Sequence, residues 1–183
     1  MHRSAILLLA CALAACETSH ETPTPPMAMH HESGMRNIVA SPEALQEIAH
    51  LRQVTARFHS FAAADSAGYT FAVPSCFSDA QLGGMGFHFG NPKFIDGVPN
   101  ADEPEFLLFE PTVGGGMQFV AVEYAVPFDA WSAPQPPKLF GQYFHRNEAF
   151  GLWILHVWHI RENPSGVFFD WNPRVSCDHA AAK

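Results

Sequence analysis

Histidine and carboxylate side chains inside strand-like patterns are the residues best suited to chemistry in this sequence. In the run 85–90, the two-residue alternation of a strand places His88 on one face between two glycines, and Met85 on the other face with two phenylalanines. In the run 120–126, Glu123 likewise shares its face with two alanines. Side chains this small leave space above a sheet, which a binding pocket needs and a packed core avoids.

Three more imidazoles lie further along the chain. His145 ends a predicted strand over 139–145, and the run 155–159 carries both His156 and His159. The tryptophan, isoleucine and valine in and next to that run favour a strand, in which His156 and His159 point to opposite faces. We expect His156 to face the pocket because it lies deeper in the apolar run.

Imidazoles and a carboxylate together are typical ligands of Zn, Cu, Fe and Mn, and such a set leaves a position open for water or substrate. We therefore predict that His88, Glu123 and His156, with His145 as a fourth candidate, bind a divalent transition metal or a small polar ligand. Two alternatives stay open. In the first, these residues form a buried hydrogen-bonded network, in which Glu123 pairs with an imidazole or with Arg146. In the second, they act as a general acid–base pair without metal.

The remaining acidic residues give weaker signals. Asp102 and Glu105 lie in a proline-containing loop and are expected to be solvated, whereas Glu110, directly before Pro111, fits either a loop or a functional role. The segment 170–174, Asp-Trp-Asn-Pro-Arg, is typical of an ordered turn whose Asp and Asn cap backbone groups. No phosphate-binding loop, nucleophile elbow, haem-attachment motif or His-Glu-x-x-His helix occurs in the sequence.

One predicted helix precedes the strands. Ser41 is a suitable N-cap, Pro42 suits the first helical position, and Glu43 complements the positive end of the helix dipole. Apolar residues then recur every three or four positions as far as Ala62. We therefore predict one long helix of about 23 residues that ends before Gly68.

From Tyr69 onward the apolar period changes to two, which indicates strands. Runs rich in Phe, Val, Tyr and Trp, bounded by turn residues, lie near 69–74, 85–89, 105–110, 117–126, 139–145, 151–160 and 166–170. One helix followed by about six or seven strands predicts an α+β fold with a mainly antiparallel sheet. We expect the sheet to be strongly curved or barrel-like, because so many aromatic side chains need an enclosed face.

Composition limits the classes of function. The chain has 183 residues, of which 48% are hydrophobic, 13% are aromatic and only 15% are charged. These values suit one globular domain. The net charge of −8, with ten Lys and Arg residues in all, argues against a nucleic-acid-binding protein, which needs clustered cations. Oligomeric state is not indicated by any pattern.

The N-terminal sequence predicts a location outside the cytoplasm. A basic start precedes an apolar stretch over 5–15 that is too short to span a bilayer. Residues 13–16, Leu-Ala-Ala-Cys, resemble the lipobox of bacterial lipoproteins. This resemblance implies cleavage before Cys16, lipidation of Cys16, and a lipid-anchored protein of the cell envelope that faces the periplasm or the exterior. The alternative is an ordinary signal peptide cleaved near 12–15.

The predicted organisation is a signal peptide over 1–15, a tether over 16–40 and a single domain over 41–183. The tether is rich in Thr, Pro and Ser and has no apolar periodicity. It concentrates thioether and imidazole groups, which are ligands of copper. We expect weak copper binding by Met27, Met29, His30, His31 and Met35. The alternative is that a flexible tether tolerates these residues without giving them a role.

Two cysteines remain for the folded domain, Cys76 and Cys177. Disulfides persist in an extracytoplasmic compartment, so we predict that these two residues pair. In the chain-entropy model, closing a loop of this length stabilises the fold by about 4 to 5 kcal/mol.

Several motifs together resemble a family of secreted bacterial proteins and lipoproteins that has no assigned activity. They are Met85-Gly86-x-His88-Phe89, Val122-Glu123-Tyr124-x-x-Pro127, Leu139-Phe140-Gly141-Gln142, His156-x-Trp158 followed by Asn163-Pro164-Ser165-Gly166, and Asp170-Trp171-Asn172-Pro173. The resemblance covers most of residues 45–178. It implies a shared fold and a shared site, and it brings no reaction or cofactor.

Three functions follow from these residues. The first is a lipid-anchored binding domain whose His/Glu pocket holds a metal ion or a small polar ligand. The second is a metal-dependent hydrolase or oxidase that uses the same pocket, with Glu123 as base. The third is an envelope module that binds a protein partner through an exposed apolar patch and needs no metal.

Overall fold

The computed structural model describes residues 38–180, and it combines short helices with an antiparallel sheet. Helix α1 spans Pro42–Thr55 and begins as predicted, because the Ser41 hydroxyl accepts a hydrogen bond from the N–H of Ala44 at 3.2 Å. A 3₁₀ turn over Ala56–His59 follows, and then a short helix α2 over Phe61–Ser66.

The prediction of one long helix was wrong, because the chain breaks at Ser60. This residue has an extended backbone, and its hydroxyl accepts a hydrogen bond from the N–H of Ala63 at 3.4 Å. Ser60 therefore acts as the N-cap of a new helix. Phe58 and Phe61 still pack on the sheet from either side of this break, whereas Ala62, which the apolar pattern included, is exposed.

Nine strands lie in residues 38–180, and seven of them form the main sheet. They are β1 (Phe71–Ala72), β2 (Phe77–Asp79), β3 (Gly83–Gly90), β4 (Phe106–Pro111), β5 (Met117–Pro127), β6 (Lys138–Leu139), β7 (Gln142–Tyr143), β8 (His145–Asn147) and β9 (Leu152–Val157). The main sheet has the order β1-β3-β4-β5-β9-β8, β2 also pairs with β3, and every pair is antiparallel. The mixed fold with an antiparallel sheet is thus confirmed, but over the described range this sheet stays open and forms no closed barrel.

Two predicted strands have a different form. The run 139–145 is split, because β6 and β7 make a separate two-stranded ribbon and β8 joins the main sheet only from His145. The run 166–170 consists of turns rather than a strand. Its Val167 carbonyl still accepts a hydrogen bond from the N–H of Trp158 at 2.9 Å, which holds the segment beside the end of β9.

The main sheet has two faces with different neighbours. The helix face, defined by Phe89, Phe109 and Phe119, packs against the helical segment: ring centroids lie 4.7 Å apart for Phe61 and Phe89, and 6.4 Å apart for Phe58 and Phe119. Edge-to-face rings at such distances add to the stabilisation from area burial. The opposite face carries the predicted pocket residues.

The opposite face, called the cavity face here, is defined by Phe106, Glu123, Ile154 and His156 together with His88. Residues of β1, of β2 and of the chain that follows β9, among them Phe71, Phe77 and Trp171, line the cavity on this face.

A disulfide joins Cys76, which precedes β2, to Cys177 near the C-terminus, with Cα atoms 5.9 Å apart. The predicted pairing is therefore present. No helix within residues 38–180 is both long enough and apolar enough to cross a membrane.

Candidate metal centre

Three strands bring His88, Glu123 and His156 together on the cavity face. Glu123 on β5 lies directly opposite His156 on β9 in the strand register. His88 comes from β3 and reaches across β4, so that its Nε2 lies 3.4 Å from Oε2 of Glu123. One ligand atom from each residue lies within 4.8 Å of the other two, and all three residues are buried. A single ion of the transition-metal type fits between such atoms.

Asp170 holds two imidazoles on the far side of this cluster. Its Oδ1 lies 2.9 Å from Nδ1 of His156, and its Oδ2 lies 2.9 Å from Nε2 of His145. Because an ionised carboxylate only accepts hydrogen bonds, each imidazole donates its N–H to Asp170. This fixes His156 in the tautomer that leaves Nε2 for the cluster, as carboxylates commonly do for histidines that bind metals.

The segment that carries Asp170 is held by side chains rather than by a strand. The indole N–H of Trp158 donates to the carbonyl of Phe169 at 2.6 Å, and the Asn163 amide donates to the carbonyl of Trp171 at 2.9 Å. Asn172 pairs with Gly84 through two backbone hydrogen bonds of 3.0 Å. The turn is therefore fixed on both sides of Asp170.

The charges in the site are set by burial and by neighbours. Burial, and then the nearby His156, lower the pKa of His88 to about 3, so this imidazole is neutral and can donate its lone pair to a metal. Burial would also lower the pKa of His156, but the Glu123 and Asp170 carboxylates outweigh burial and raise it. For Asp170, burial would raise the pKa, but the two histidines outweigh it and lower the pKa well below its usual range. Burial raises the pKa of Glu123.

Unpartnered polar atoms test whether this cluster is complete without a ligand. In the described part of the chain, Nδ1 of His88 and Nε2 of His156 are buried and have no hydrogen-bond partner. A buried polar atom without a partner costs about 1 to 3 kcal/mol. A purely structural network would satisfy these nitrogens. Nε2 of His156, whose other ring nitrogen is held by Asp170, therefore fits a group that binds an electron-pair acceptor. In His88 the nitrogen beside the Glu123 carboxylate is Nε2, at 3.4 Å, and the unpartnered Nδ1 is its other ring nitrogen.

A cavity of about 560 Å³ opens directly onto the cluster. His88, Glu123, His156 and Asp170 contribute to its floor, and most other lining side chains are apolar. Phe71 and Phe150, both more than half exposed, lie at its mouth. The volume suits a small organic molecule.

The sequence predicts that small residues beside His88 create the cavity, and the structure differs on this point. A Cβ on Gly90 would lie 2.7 Å from the ring of Phe106, so this glycine makes room for a ring and not for a ligand. Met85 also lines the cavity rather than the helix face. The reason is an irregular register between β2 and β3 at Gly86, where φ is +87°, and such a bulge puts one extra residue on the same side.

The other candidates have different roles. His145 lies on β8 as an Asp170 partner and not within the three-residue cluster. His159 is on the helix face, where its ring nitrogens lie 2.9 Å from the Thr55 hydroxyl and 3.1 Å from the Val157 carbonyl. Arg146 pairs with Glu148 at 2.6 Å and lies over the Phe128 ring. It is therefore no partner of Glu123.

The three acids outside the pocket are also placed. Glu105 is fully buried, in contrast to the expected solvated loop, and it accepts a hydrogen bond from the N–H of Ala125 at 3.1 Å. Glu110 forms an ion pair with Arg161 at 2.6 Å, which is a structural role. Asp102 lies 2.9 Å from the exposed His50, as expected for a surface residue.

Cys16 and the proposed copper-binding residues of the tether lie outside the described residues.

Asp170 belongs to the candidate site, although the sequence pattern does not single it out. The run 170–174 predicts a turn with backbone-capping side chains, and Asn172 does accept a hydrogen bond from the backbone N–H of Arg174 at 2.9 Å. Asp170 instead contacts two histidines that precede it by 14 and 25 residues. The sequence feature that could have identified Asp170 is a carboxylate between two aromatic residues, at 169 and 171. The chain also has predicted inward-facing imidazoles that need a hydrogen-bond partner.

Comparison with protein-family models, with curated proteins and with solved structures found no match to this chain. The resemblance to secreted bacterial proteins therefore stays a prediction, and the function is argued from the site.

Proposed function

We propose that this protein binds one divalent transition-metal ion through His88, Glu123 and His156, with Asp170 orienting His156. In this proposal the chain is a lipid-anchored protein of the bacterial cell envelope, as the residues over 13–16 imply, and the metal faces a cavity for a small molecule. The Cys76–Cys177 disulfide supports a location in an oxidising compartment.

The observation that carries this proposal is the buried Nε2 of His156, unpartnered within residues 38–180, in a cluster with His88 and Glu123 whose ligand atoms lie within 4.8 Å of one another. Two imidazoles and one carboxylate form a donor set that suits Zn, Fe, Mn and Cu. Asp170 supplies the carboxylate–histidine contact that accompanies metal-binding histidines.

The test is the metal content of the full chain, purified without a histidine tag or a chelator and measured by elemental mass spectrometry. We expect nearly one metal ion per wild-type chain, and less than a tenth of that in the double variant His88→Ala/Glu123→Ala. The matched control is His50→Ala/Asp102→Ala, which removes an exposed imidazole–carboxylate pair with a 2.9 Å contact. It should retain the wild-type metal content.

A folded wild type without metal, or equal metal in both double variants, would contradict the proposal. Circular dichroism and the thermal midpoint of each variant show whether the protein is folded.

A metal-dependent hydrolase or oxidase is the second candidate. The observation in its favour is that the cluster opens onto the cavity, so that a metal held by the two histidines would keep positions open for water or substrate. In that reading Glu123 acts as a base rather than as a ligand, and its raised pKa, caused first by burial, suits a group that takes up a proton. Metal-loaded protein that turns over none of a panel of esters, phosphoesters and oxidisable phenols would count against an enzyme.

A further inference from the structure

The cavity contains a second polar position, away from the metal-binding cluster. Asn147 on β8 lines the cavity, and its Oδ1 is buried without a hydrogen-bond partner among residues 38–180. The cluster and the position of Asn147 have one feature in common: each contains buried polar atoms that have no hydrogen-bond partner in the described range of the protein. A ligand that fills the cavity is the natural partner of both.

The strand register gives the distance between these two positions. Asn147 lies opposite Leu152 on β9, and His156 is four residues further along the same strand. At about 3.3 Å per residue, the two positions are about 13 Å apart along the strand direction, and they are also offset sideways because Asn147 lies on β8 whereas the cluster extends from β9 to β3. One coordination bond of about 2 Å and one hydrogen bond of about 3 Å therefore leave at least about 8 Å for the ligand itself.

The walls between the two positions are apolar. Leu152 and Ile154 form the floor there, since alternate residues of β9 share the face of His156. Aromatic rings form the walls, and Phe77 and Phe150 meet edge to face with centroids 6.2 Å apart. A flat aromatic ligand gains edge-to-face contacts with such walls and loses little conformational entropy on binding.

We infer that the cavity binds a rigid aromatic acid or phenol at least about 8 Å long, whose oxygen at one end coordinates the metal and whose hydroxyl at the other end donates to Asn147. This inference rests on the proposed metal centre for one of its two anchors. The class includes hydroxylated aromatic carboxylic acids, in which a carboxylate and a phenolic hydroxyl lie at opposite ends of one flat molecule.

The experiment uses 4-hydroxycinnamate as the probe and cinnamate, which lacks the hydroxyl, as its matched control. Binding to the metal-loaded full chain is measured by titration calorimetry, and the metal content of the same sample is measured. We expect 4-hydroxycinnamate to bind at least tenfold more tightly than cinnamate. Asn147→Ala should reduce that ratio to less than twofold, because only the hydroxyl contact is removed.

Two further variants keep the interpretation clear. Ile154→Phe narrows the passage between the two anchors and should weaken both probes at least tenfold while leaving the metal content unchanged. Asn100→Ala, at an exposed asparagine that pairs with Glu103, should change neither the affinities nor their ratio.

The outcomes separate this inference from the proposed function. A stoichiometric metal without binding of either probe, or a selectivity ratio that survives Asn147→Ala, overturns the inference and leaves the metal centre intact. A folded chain that holds no metal overturns the proposed function, and with it the coordinating end of the ligand.

Discussion

Both faces of the sheet bury histidine side chains, but the hydrogen bonding of their ring nitrogens differs between the faces. On the helix face, both ring nitrogens of His159 lie within hydrogen-bonding distance of a partner. On the cavity face, His156 uses one nitrogen for Asp170 and leaves the other unpartnered, and His88 also has an unpartnered nitrogen. His156, on β9, and His159, just after the end of that strand, are only three residues apart. Burial alone therefore does not distinguish a structural histidine from a candidate ligand. The partners of its nitrogens and its distance from other ligand atoms are both needed, because Nδ1 of His145 is also unpartnered within residues 38–180 but His145 lies outside the cluster.

The largest expected effect comes from substituting one large residue on each face and comparing the losses of stability. Phe119→Ala should lower the free energy of unfolding by about 3 to 5 kcal/mol, because a fully buried ring is lost from a packed core. His88→Phe, measured in chelator, should change it by less than about 1 kcal/mol, since it replaces an unsatisfied polar group by an apolar one. Urea unfolding measures both. Equal losses would mean that the cavity face is packed like the helix face.

Glu105, which is buried outside the cavity, gives a test by pH. Burial raises the pKa of Glu105 to about 8, whereas a carboxylate in the unfolded chain titrates near its usual value of about 4.3. Between these values the native state holds a proton that the unfolded state has lost, so stability is fully present below about pH 4 and falls as pH rises to 8. The slope is at most about 1.4 kcal/mol per pH unit.

The measurement is urea unfolding of wild type and Glu105→Gln at pH 5 to 8. Glutamine cannot ionise, so the variant should lack this slope and gain stability relative to wild type as pH rises. Parallel profiles for the two proteins would show that Glu105 does not titrate in this range.

Asp170→Asn sharpens the comparison on the cavity face. An amide cannot accept from both His145 and His156 as the carboxylate does, so His156 is less firmly oriented. Metal affinity should fall about 10- to 100-fold, as measured by competition with a chromogenic chelator. Asp102→Asn, at an exposed carboxylate beside a histidine, is the control. Unchanged affinity in Asp170→Asn would remove Asp170 from the metal centre.

The smallest expected effect lies on the helix face. Thr55→Val removes the hydroxyl beside Nε2 of His159 and creates an unsatisfied nitrogen there. The cost should be about 1 to 3 kcal/mol, whereas His59→Ala, at an exposed histidine, should stay within about 0.5 kcal/mol. If Thr55→Val is neutral, a satisfied nitrogen on the helix face contributes nothing to stability.

The sequence predicted the structure correctly where the period of the apolar residues matches the period of the secondary structure that forms. Strands β3, β4, β5 and β9 follow alternating apolar runs, and the partnership of His88, Glu123 and His156 followed from which side chains those runs place inward. The broken helix could not be predicted in this way, because Phe58 and Phe61 keep helical spacing across Ser60. The displacement of Met85 depends on the pairing of β2 with β3, and Asp170 acts through contacts far away in the chain. Both are set by tertiary structure, which a local pattern does not contain.

The position of Asp170 and Cys177 near the end of the chain has a consequence for biogenesis. Strands β3, β4 and β5 follow one another as hairpins, so His88 and Glu123 can meet as soon as residue 127 has emerged from a ribosome or a translocation channel. The orienting carboxylate and the second cysteine arrive more than forty residues later, and the crosslink spans 101 positions. A nascent chain therefore holds only part of the proposed metal centre until residue 170 has emerged, and the crosslink forms after that.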